Sequence, residues 1–410
     1  MDKPQKKLTI LSLQYHCYPD EIGGAWGLTY QINKRLVERG HKVYQITCKS
    51  SETQKSQEVI DGIQYHRISY TASKSIISIW NAIRKQLRII LRAEPIHLIH
   101  IHNPLIGFIA LLQPNLWKVP KVYHFHSSWF DEERINAVGT GGVPLGLKLR
   151  LEMIRGMEWA CYKFSRVILI LSEYSKERFK EYYSLSKPKL VKIPGGVDLK
   201  EFHPITSEEN RGDIFERLNL GEIIPLILTV RRLEERMGLE NLVLAAEILV
   251  KKNPGRKFKL VIVGKGSLRE RLENLIEKKN LSDTVQLSGL VPRETLPLYF
   301  RAADLFVLPT TAIEGFGLVT AEAFASGLPV MGTPVGATKE LLALVDHDLI
   351  FEGSTPESLA KGIEKFLTNP DYYSQLRLKC RETAERNYSW ERVTDQTENV
   401  FKEIVFDNNA

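Results

Sequence analysis

The sequence is poor in cysteine. Its four cysteines, Cys17, Cys48, Cys161 and Cys380, are far apart and form no C-x-x-C pair. This pattern argues against a disulfide framework and against a zinc site built on paired thiolates, because both need cysteines in closely spaced sets. Reduced thiols of this kind are typical of the cytoplasm, and we expect that location.

Long hydrophobic runs are also missing. The apolar segment Leu8–Leu13 is too short for the core of a signal peptide and predicts a first β-strand. The most apolar later segment, Leu98–Leu112, contains two histidines and a proline. It is shorter than the ~20 residues that a membrane-spanning helix needs. We therefore expect no segment that crosses a membrane.

Charge is distributed unevenly along the chain, which has 410 residues and a formal net charge of +7. Residues 1–200 contain 30 Lys and Arg against 17 Asp and Glu, whereas the remainder contains 26 against 32. This asymmetry predicts that the first half faces an anionic partner. Nucleic acid is not favoured as that partner, because basic residues are not interleaved with aromatic ones and no known binding module is present.

Strand-like and helical patterns alternate through both halves, which is typical of α/β units around parallel sheets. The chain is long for a single hydrophobic core, so two domains are expected. A segment rich in turn-forming residues, Lys192–Pro204, separates the halves, and we place the boundary between residues 198 and 199. Two doubly wound, Rossmann-like domains would leave a ligand-binding cleft between the carboxyl ends of their sheets.

The segment Glu314–Val330 (E-G-F-G-L-V-T-A-E-A-F-A-S-G-L-P-V) places a glycine turn between a predicted strand and a predicted helix. Unpaired N–H groups at a helix start form a natural phosphate site. A carboxylate 4 Å from a phosphate would be repelled by roughly 4 kcal/mol at an effective dielectric constant of 20. Glu314 and Glu322 should therefore accept hydrogen bonds from sugar hydroxyls, on a ligand with a central diphosphate. Alternatively, Glu314 caps the helix and Glu322 is a solvated helix residue.

The same segment, followed by G-T-P-V-G-A-T-K-E, resembles the hallmark of the family four glycosyltransferases. Further blocks that resemble this family follow in the expected order: Y-P-D-E-I-G-G-A, E-R-G-H-K-V, I-H-I-H-N-P, I-P-G-G-V-D-L-K-E-F-H-P, L-V-I-V-G-K-G, D-L-F-V-L-P and N-Y-S-W-E-R. The resemblance implies the GT-B fold, with an acceptor-binding domain at 1–198 and a nucleotide-sugar-binding domain at 199–385. A C-terminal helix within 386–410 would pack back on the first domain.

The resemblance also implies roles for residues of the second domain. Glu314 would contact the donor sugar, Glu322 the ribose, and Arg232 the leaving diphosphate. The family usually has a lysine where this chain has Met237, so the adjacent Arg236 is the candidate for the second phosphate contact, although arginine and lysine differ in reach and geometry. Alternatively, Arg236 and Arg231 are surface charges. The other expected donor contacts are Gly264, Leu290, Gly315, Phe316 and Gly317.

In the first domain, the resemblance implies that Gly24 approaches the phosphates and that His126 lies near the reacting sugar carbon. His124 shares a strand face with His126, and a histidine on a strand also has a structural interpretation. Three aromatic side chains are candidates for stacking on the acceptor sugar, or alternatively for the core: Trp26, Trp129 and Phe130.

The implied reaction is retaining transfer of a hexosyl group from a UDP- or GDP-linked sugar, with His126, Arg232 and Glu314 as catalytic residues. No carboxylate stands out as a nucleophile, so we favour front-face attack in which the leaving phosphate helps to deprotonate the acceptor hydroxyl. The motif Asp346–Asp348 resembles the D-x-D metal motif of the other large glycosyltransferase fold, but it falls in a predicted loop. We expect no essential metal and no other cofactor.

A basic helix is predicted from Ser75 to Ala93. One stripe of this helix is apolar and another is basic: Ile79, Ile83, Leu87 and Ile90, and Arg84, Arg88 and Arg92. Such a helix either lies on an anionic membrane surface or covers a sheet. Enzymes that resemble this one act on lipid-linked acceptors at the cytoplasmic leaflet, so we predict a peripheral membrane enzyme of polysaccharide or glycolipid synthesis. The rival interpretations are a sugar-nucleotide epimerase of the same fold and a non-catalytic sugar-nucleotide-binding partner.

Overall fold

The computed structural model describes residues 6–21, 23–69, 76–138, 145–183, 185–186 and 188–406. The chain divides into two compact units. The first unit combines Met1–Pro194 with Trp390–Ala410, and the second unit is the continuous stretch Gly195–Ser389. Ser75, where the basic helix was predicted to begin, lies outside the described residues.

The first unit is built on one large sheet. Its strands are β1 (Thr9–Leu13), β2 (Lys42–Cys48), β3 (Gln57–Ile60), β4 (Ile63–Ile68), β5 (Leu98–Ile101), β6 (Lys121–Phe125), β7 (Val167–Ile170) and β8 (Lys189–Lys192). The strand order is β3-β4-β2-β1-β5-β6-β7-β8, and β3 pairs with β4 in the antiparallel direction while the other pairs are parallel. Strands β1, β5, β6 and β7 are buried along their whole length, as expected for a sheet covered on both faces.

Helices connect these strands. They are α1 (Gly24–Glu38), α2 (Ile76–Ala93), α3 (Pro104–Leu111), α4 (Trp129–Val138), α5 (Leu145–Lys163) and α6 (Glu173–Tyr182), with a short 3₁₀ helix at Pro114–Leu116. One buried cluster joins alternate residues of the strands to the inner sides of α2, α3 and α5. Helix α3 packs against both α2 and α5, so these three helices cover the same face of the sheet.

The second unit has a smaller, fully parallel sheet. Its strands are β9 (Leu226–Val230), β10 (Lys259–Val263), β11 (Val285–Gly289), β12 (Leu305–Leu308) and β13 (Val330–Gly332), in the order β11-β10-β9-β12-β13. Its helices are α7 (Arg211–Arg217), α8 (Leu239–Lys252), α9 (Arg269–Lys278), α10 (Leu296–Ala302), α11 (Leu318–Ala325), α12 (Thr338–Leu342), α13 (Pro356–Thr368) and α14 (Pro370–Asn387). Short 3₁₀ helices lie at Glu235–Met237 and His347–Leu349.

The last helix, α15 (Trp390–Phe406), belongs to the first unit and packs on α1. Glu398 on α15 binds Arg39 at 2.8 Å, His41 Nε2 at 3.0 Å and also Lys402. The backbone N–H of Leu8 donates to His41 Nδ1 at 3.0 Å, so the proton of the neutral imidazole lies on Nε2 and points at Glu398. Burial raises the pKa of Glu398, but its hydrogen bonds with Lys402, Arg39 and His41 outweigh this effect and hold the pKa at about 2.

Both sheets have a point at which the strand order reverses. In the first sheet this point lies between β1 and β5, and in the second it lies between β9 and β12. Ligands of doubly wound folds bind at the carboxyl ends of the strands on either side of such a point. We therefore expect functional residues directly after β5 and β9, at this edge of each sheet.

Candidate functional site

A buried ion pair marks the carboxyl edge of the second sheet. Arg231 follows β9 directly, and Glu314 lies in the loop after β12, the neighbouring strand at the reversal point. Arg231 Nη1 lies 2.8 Å from Glu314 Oε2, and both side chains are largely buried. Thr310 Oγ1 donates a second hydrogen bond to the same carboxylate oxygen at 3.3 Å. The reversal point thus carries one cation and one anion on adjacent strands.

The sequence patterns assigned no role in this site to Arg231. Its Nε lies 3.3 Å from the sulfur of Met237, so its guanidinium lies against the residue that replaces the family's usual lysine. Arg232, the expected diphosphate contact, is exposed to solvent. Arg236 donates to the carbonyl oxygen of Ile313 at 2.8 Å, which directs it to the backbone of the Glu314 loop. Arg231 directly follows a predicted buried strand, and this position could have indicated a functional role.

The loop that carries Glu314 is conformationally strained. Ile313 has φ = 51°, a left-handed conformation that a β-branched residue rarely adopts. Gly336 has φ = 63°, and a Cβ on it would lie 2.3 Å from the carbonyl oxygen of Glu314. That carbonyl also accepts a hydrogen bond from the N–H of Ala337 at 2.8 Å. Strain of this kind persists where the surrounding structure enforces it, and it is common at functional sites.

The glycine turn leads from Glu314 into α11. Gly317 precedes the helix in a left-handed conformation, φ = 85°, and as a glycine it has no side chain that could cap the helix. The carboxylate of Glu314 pairs with Arg231. Phe316 is buried against Tyr388, with ring centroids 5.4 Å apart, which fixes the turn that contains Gly315. The hydroxyl of Thr320 is buried near the helix start without a hydrogen-bond partner.

Glu322 lies on α11, eight residues after Glu314 in the sequence. Burial raises the pKa of its carboxyl group to about 7, and the nearby charge of Glu201 adds to this increase while Arg293 opposes it. Arg293 binds Glu201 through two hydrogen bonds of 3.0 and 2.9 Å. A solvated helix residue would not have so perturbed a carboxyl group, and perturbed pKa values are frequent at functional sites.

The remaining donor candidates line the same edge of the second sheet. Gly264 follows β10, and a Cβ on it would lie 1.8 Å from the carbonyl oxygen of Arg231, so only glycine allows these two loops to approach. Gly266 faces the backbone of Leu233 in the same way, at 2.3 Å. Leu290 follows β11 and is exposed. The acidic motif Asp346–Asp348 forms a short turn in which Asp346 accepts a hydrogen bond from the N–H of Asp348 at 2.9 Å.

Four histidines lie together at the carboxyl edge of the first sheet. His100 and His102 come from the end of β5, and His124 and His126 come from the end of β6. The ring planes of His124 and His126 are almost parallel, with centroids 4.8 Å apart. Burial lowers the pKa of His126 to about 4, and burial also lowers the pKa values of the other three imidazoles. The four rings are therefore neutral at neutral pH.

A chain of hydrogen bonds connects three of these histidines to α1. His100 Nδ1 lies 3.1 Å from His102 Nε2, and His102 Nδ1 lies 3.2 Å from His126 Nε2. His102 Nδ1 also lies 3.0 Å from the hydroxyl of Thr29, which donates to the carbonyl oxygen of Ala25 at 2.9 Å. This network orients His126 relative to the start of α1, where Gly24 is the first helical residue.

Among the described residues, one set of side chains has the composition of a metal site. The candidate ligand atoms of His100, His102 and His124 all lie within 4.8 Å of one another. Both ring nitrogens of His124 lack a hydrogen-bond partner. Tetrahedral zinc, with Zn–N bonds of about 2.0–2.1 Å, needs nitrogens roughly 3.4 Å apart. In this structure, His100 Nδ1 and His102 Nε2 are instead hydrogen-bonded to each other at 3.1 Å.

The acceptor candidates lie at the starts of two helices of the first unit. Trp26 is half-buried on α1, with its ring centroid 5.5 Å from that of His16. Trp129 and Phe130 begin α4 and are also half-buried. The buried carboxylate of Glu158 accepts from the N–H of Trp129 at 2.7 Å and from the N–H of Phe130 at 3.4 Å. Glu158 therefore fixes the start of α4, and no sequence pattern pointed to it.

The basic helix α2 covers the sheet. Its apolar stripe is buried in the core of the first unit: Ile79, Ile83, Leu87 and Ile90. Its arginines, Arg84, Arg88 and Arg92, are exposed. This arrangement matches the sheet-covering interpretation of the apolar stripe and leaves a basic outer side. Within the described residues, no helix has the length and apolar character that crossing a membrane requires.

Two doubly wound units, each with candidate ligand-binding residues at the carboxyl edge of its sheet, are typical of the GT-B class of glycosyltransferases. Two family models match the chain, "Glycosyltransferase Family 4" over residues 22–201 and "Glycosyl transferases group 1" over residues 210–387. The chain therefore belongs to the family 4 glycosyltransferases and is a glycosyltransferase enzyme. The predicted fold class, family and enzyme class are confirmed.

Relatives and solved structures agree with this assignment. An uncharacterised glycosyltransferase of Methanocaldococcus jannaschii is 25% identical over 94% of this chain and 96% of its own length. A D-inositol 3-phosphate glycosyltransferase of Thermobifida fusca is 27% identical over 92% of this chain and 87% of its own length.

Among solved structures, a sucrose-phosphate synthase of Thermosynechococcus elongatus superposes with a TM-score of 0.81 at 22% identity, covering 97% of this chain and 99% of that one. Anabaena HepE, solved in complex with UDP and glucose, superposes with a TM-score of 0.75 at 16% identity, covering 97% and 100%. At these identities the structures support the fold.

Proposed function

We propose that this enzyme transfers a hexosyl group from a nucleotide-diphosphate sugar to an acceptor hydroxyl, with retention of anomeric configuration. The observation that carries this proposal is the Arg231–Glu314 pair beside the glycine turn at the reversal point of the second sheet. A diphosphate needs cations and backbone N–H donors, and a sugar needs carboxylate acceptors for its hydroxyls. The site offers both in the loops after β9 and β12 and at the start of α11.

In the proposed reaction, the bond between the anomeric carbon and the diphosphate oxygen breaks while the acceptor oxygen bonds to the same face of that carbon. The acceptor's hydroxyl proton moves to the departing diphosphate oxygen, so no enzyme nucleophile is needed. Negative charge builds on the diphosphate, and arginines with the N–H groups of α11 stabilise that charge. Arg231 and Arg232 are the candidates for this role, and Glu314 would hold the sugar hydroxyls.

The neutral state of His126 fits a second part of this proposal. A neutral imidazole donates one hydrogen bond and accepts another, and so suits a polar sugar better than a cationic site does. Its hydrogen bond to His102 restricts the orientation of the ring. We propose that His126 contacts the reacting sugar and that Gly24 lets the start of α1 approach the donor. The half-buried rings of Trp26, Trp129 and Phe130 are candidates for stacking on the acceptor sugar.

We propose a UDP- or GDP-linked donor and an acceptor that is a sugar or a lipid-linked saccharide, in polysaccharide or glycolipid synthesis at the cytoplasmic membrane face. HepE, solved with UDP and glucose, supports a UDP-linked donor. The inositol phosphate glycosyltransferase of T. fusca supports a polar hydroxylated acceptor. The exposed arginines of α2 support contact with an anionic surface. No metal ion is required in this proposal, because arginines and helix N–H groups supply the positive charge.

The test is a binding titration of UDP, GDP and ADP and their common sugar conjugates, first with EDTA and then with a divalent cation in place of EDTA. Wild type and Glu322→Ala are compared, with Glu357→Ala, an exposed glutamate of α13, as the control. We expect one nucleotide to bind selectively, Glu322→Ala to weaken it and Glu357→Ala to have no effect. Absence of binding to every nucleotide would overturn the proposed donor site. Binding that appears only when a divalent cation replaces EDTA would contradict the metal-free mechanism.

A further inference from the structure

Helix α5 exposes an apolar stripe that the core does not use. Leu145, Leu149 and Met153 follow one another at four-residue intervals and are 74%, 67% and 53% exposed. The opposite side of the same helix is buried in the core through Leu151, Ile154 and residues further along. A spacing of four residues places side chains next to each other on one helix face. The stripe is thus continuous over about two turns of the helix.

Basic side chains border this stripe on both sides. Lys148 and Arg155 flank it on one side and Arg150 on the other, as the 3.6-residue period of a helix requires. All three are exposed. Glu152 lies on the same side of the stripe as Arg155, and the charged groups of these two residues are 3.9 Å apart. On the other side, Arg150 pairs with Glu133 of α4 at 3.0 Å. The second glutamate of α5, Glu158, is buried and binds the start of α4.

The neighbouring helices extend the positive charge. Helix α3 packs against both α2 and α5, so α2 and α5 cover the same face of the sheet and their outer sides face away from it. The sequence of α2 contains no Asp or Glu, and its outer side carries Arg84, Lys85, Arg88 and Arg92. The combined surface has an apolar centre on α5 and a basic border. We call this surface, made of the outer sides of α2 and α5, the α2–α5 face.

We propose that the α2–α5 face docks on an anionic lipid surface, with α5 lying parallel to the surface and its apolar stripe inserted among the acyl chains. An exposed apolar stripe with basic flanks is the pattern of helices that lie in a membrane interface. The basic border complements anionic headgroups. A second copy of the chain is a poorer occupant, because a two-fold axis through this face would bring its cations together.

The direction of α5 relates this docking to the active site. Helix α5 precedes β7, so it runs antiparallel to the strands and begins at their carboxyl edge. Leu145 therefore lies towards the edge where His126 follows β6. An acceptor anchored in the lipid would then present its hydroxyl near the end of the sheet that carries the site. This inference refines the proposed membrane-associated function, and it is tested without catalysis.

The experiment is co-sedimentation of the full chain with vesicles of phosphatidylglycerol and phosphatidylcholine, and with phosphatidylcholine alone. We compare wild type, Leu149→Asp, and a matched control, Leu378→Asp, which alters a 69% exposed leucine on α14 of the second unit. The expected result is binding to the anionic vesicles, reduced about tenfold or more by Leu149→Asp and unaffected by Leu378→Asp. A double change, Arg84→Glu with Arg88→Glu, should weaken binding and make it less sensitive to salt.

Three outcomes would overturn the proposal. The first is no sedimentation of wild type with anionic vesicles at low salt, and the second is equal binding by Leu149→Asp and Leu378→Asp. The third is a wild-type dimer in light scattering that Leu149→Asp dissociates without lipid, because a second copy would then occupy the face. Nucleotide titration of Leu149→Asp separates this question from the donor site, since that variant should bind nucleotide like wild type.

Discussion

The Arg231–Glu314 pair concentrates the chemistry of the second unit in two side chains. The two side chains form an ion pair of 2.8 Å in a largely buried site. In the proposed reaction, the donor's diphosphate would compete with Glu314 for Arg231, and its sugar hydroxyls would compete with Arg231 for Glu314. The pair connects the loop after β12 to the end of β9, and under the proposed function its two charges would bind different parts of the donor.

Arg231→Ala should therefore affect both stability and donor binding. Removal of one partner of a buried pair typically costs about 3–5 kcal/mol of unfolding free energy, because the other charge is left buried. We expect a lower Tm and a fall in kcat/KM of about 10²–10³. The double variant Arg231→Ala with Glu314→Gln should recover most of the Tm but none of the donor affinity.

Thermal denaturation and nucleotide titration measure the two effects separately. Arg271→Ala is the matched control, because Arg271 forms exposed pairs with Glu235 and Glu240 in the same unit, and such pairs contribute about 0–1 kcal/mol. If Arg231→Ala binds donor as wild type does, then Arg231 supports the loop only and Arg232 or Arg236 supplies the cation.

Glu322 predicts a pH dependence with a defined sign. Its pKa is raised from 4.5 in the unfolded chain to about 7 in the folded state. The folded state therefore binds the proton more tightly, and the carboxyl group lowers the unfolding free energy as pH rises from about 4.5 to about 7. Glu322→Gln should stabilise the protein by about 2 kcal/mol at pH 8 and by almost nothing at pH 4.

Donor binding should instead become tighter as the pH rises. The ionised carboxylate is the stronger acceptor for ribose hydroxyls, so the affinity for a nucleotide sugar should rise as pH increases through about 7. Glu322→Gln should weaken binding at pH 8 and remove this pH dependence. Unfolding curves and titrations at pH 5, 6, 7 and 8 test both statements. A variant that is neither more stable nor weaker in binding at pH 8 would contradict them.

At the scale of elements, α15 is held to the first unit by a charge cluster as well as by apolar packing. Trp390, Val393, Phe401 and Ile404 of α15 are buried. Glu398 lies among Arg39, His41 and Lys402, and its side chain is only 6% exposed. The cluster fixes the position of α15 along α1, because side-chain hydrogen bonds have a narrower geometry than apolar contacts.

Glu398→Gln should lower the unfolding free energy of the protein by about 2–3 kcal/mol at pH 7. The folded-state pKa of about 2 lies below the unfolded value of 4.5, so this contribution is present above pH 4.5 and is lost as pH falls towards 2. Asp395→Asn is the matched control, because Asp395 also binds Arg39, at 2.7 Å, but is mostly exposed. Chemical denaturation at pH 7 and pH 4 measures the difference, and equal effects of the two variants would show that burial of Glu398 adds nothing.

The elements also show what sequence periodicity resolves and what it leaves open. The apolar stripe of α2 was equally compatible with a sheet and with a membrane, because both offer an apolar surface to the same residues. The structure places that stripe against the sheet and leaves a different stripe exposed on α5. Helix α5 has apolar residues on both its buried and its exposed side, so the sequence pattern alone did not show which side faces the core.

At the scale of the whole molecule, the alternation of strands and helices was sufficient to predict two doubly wound α/β units, and this prediction is confirmed. The turn of Gly315–Gly317 and its helix were also predictable, because glycine and a following apolar period are local signals. The partner of Glu314 was not predictable. Arg231 reaches it across neighbouring strands that are far apart in sequence, and the motif directed attention to Arg232 and Arg236.

The first unit is assembled from two stretches of chain that the whole second unit separates. During synthesis, the ribosome must translate Gly195–Ser389 before the α15 segment emerges. At about 5–20 residues per second, that delay amounts to roughly 10–40 s. The second unit has its full sequence at the end of this interval, whereas Arg39 and His41 of the first unit still lack their partner Glu398, because α15 has not yet been synthesised. Nascent chains of the first unit therefore expose the α1 surface that α15 later covers, and the order of synthesis favours completion of the second unit first.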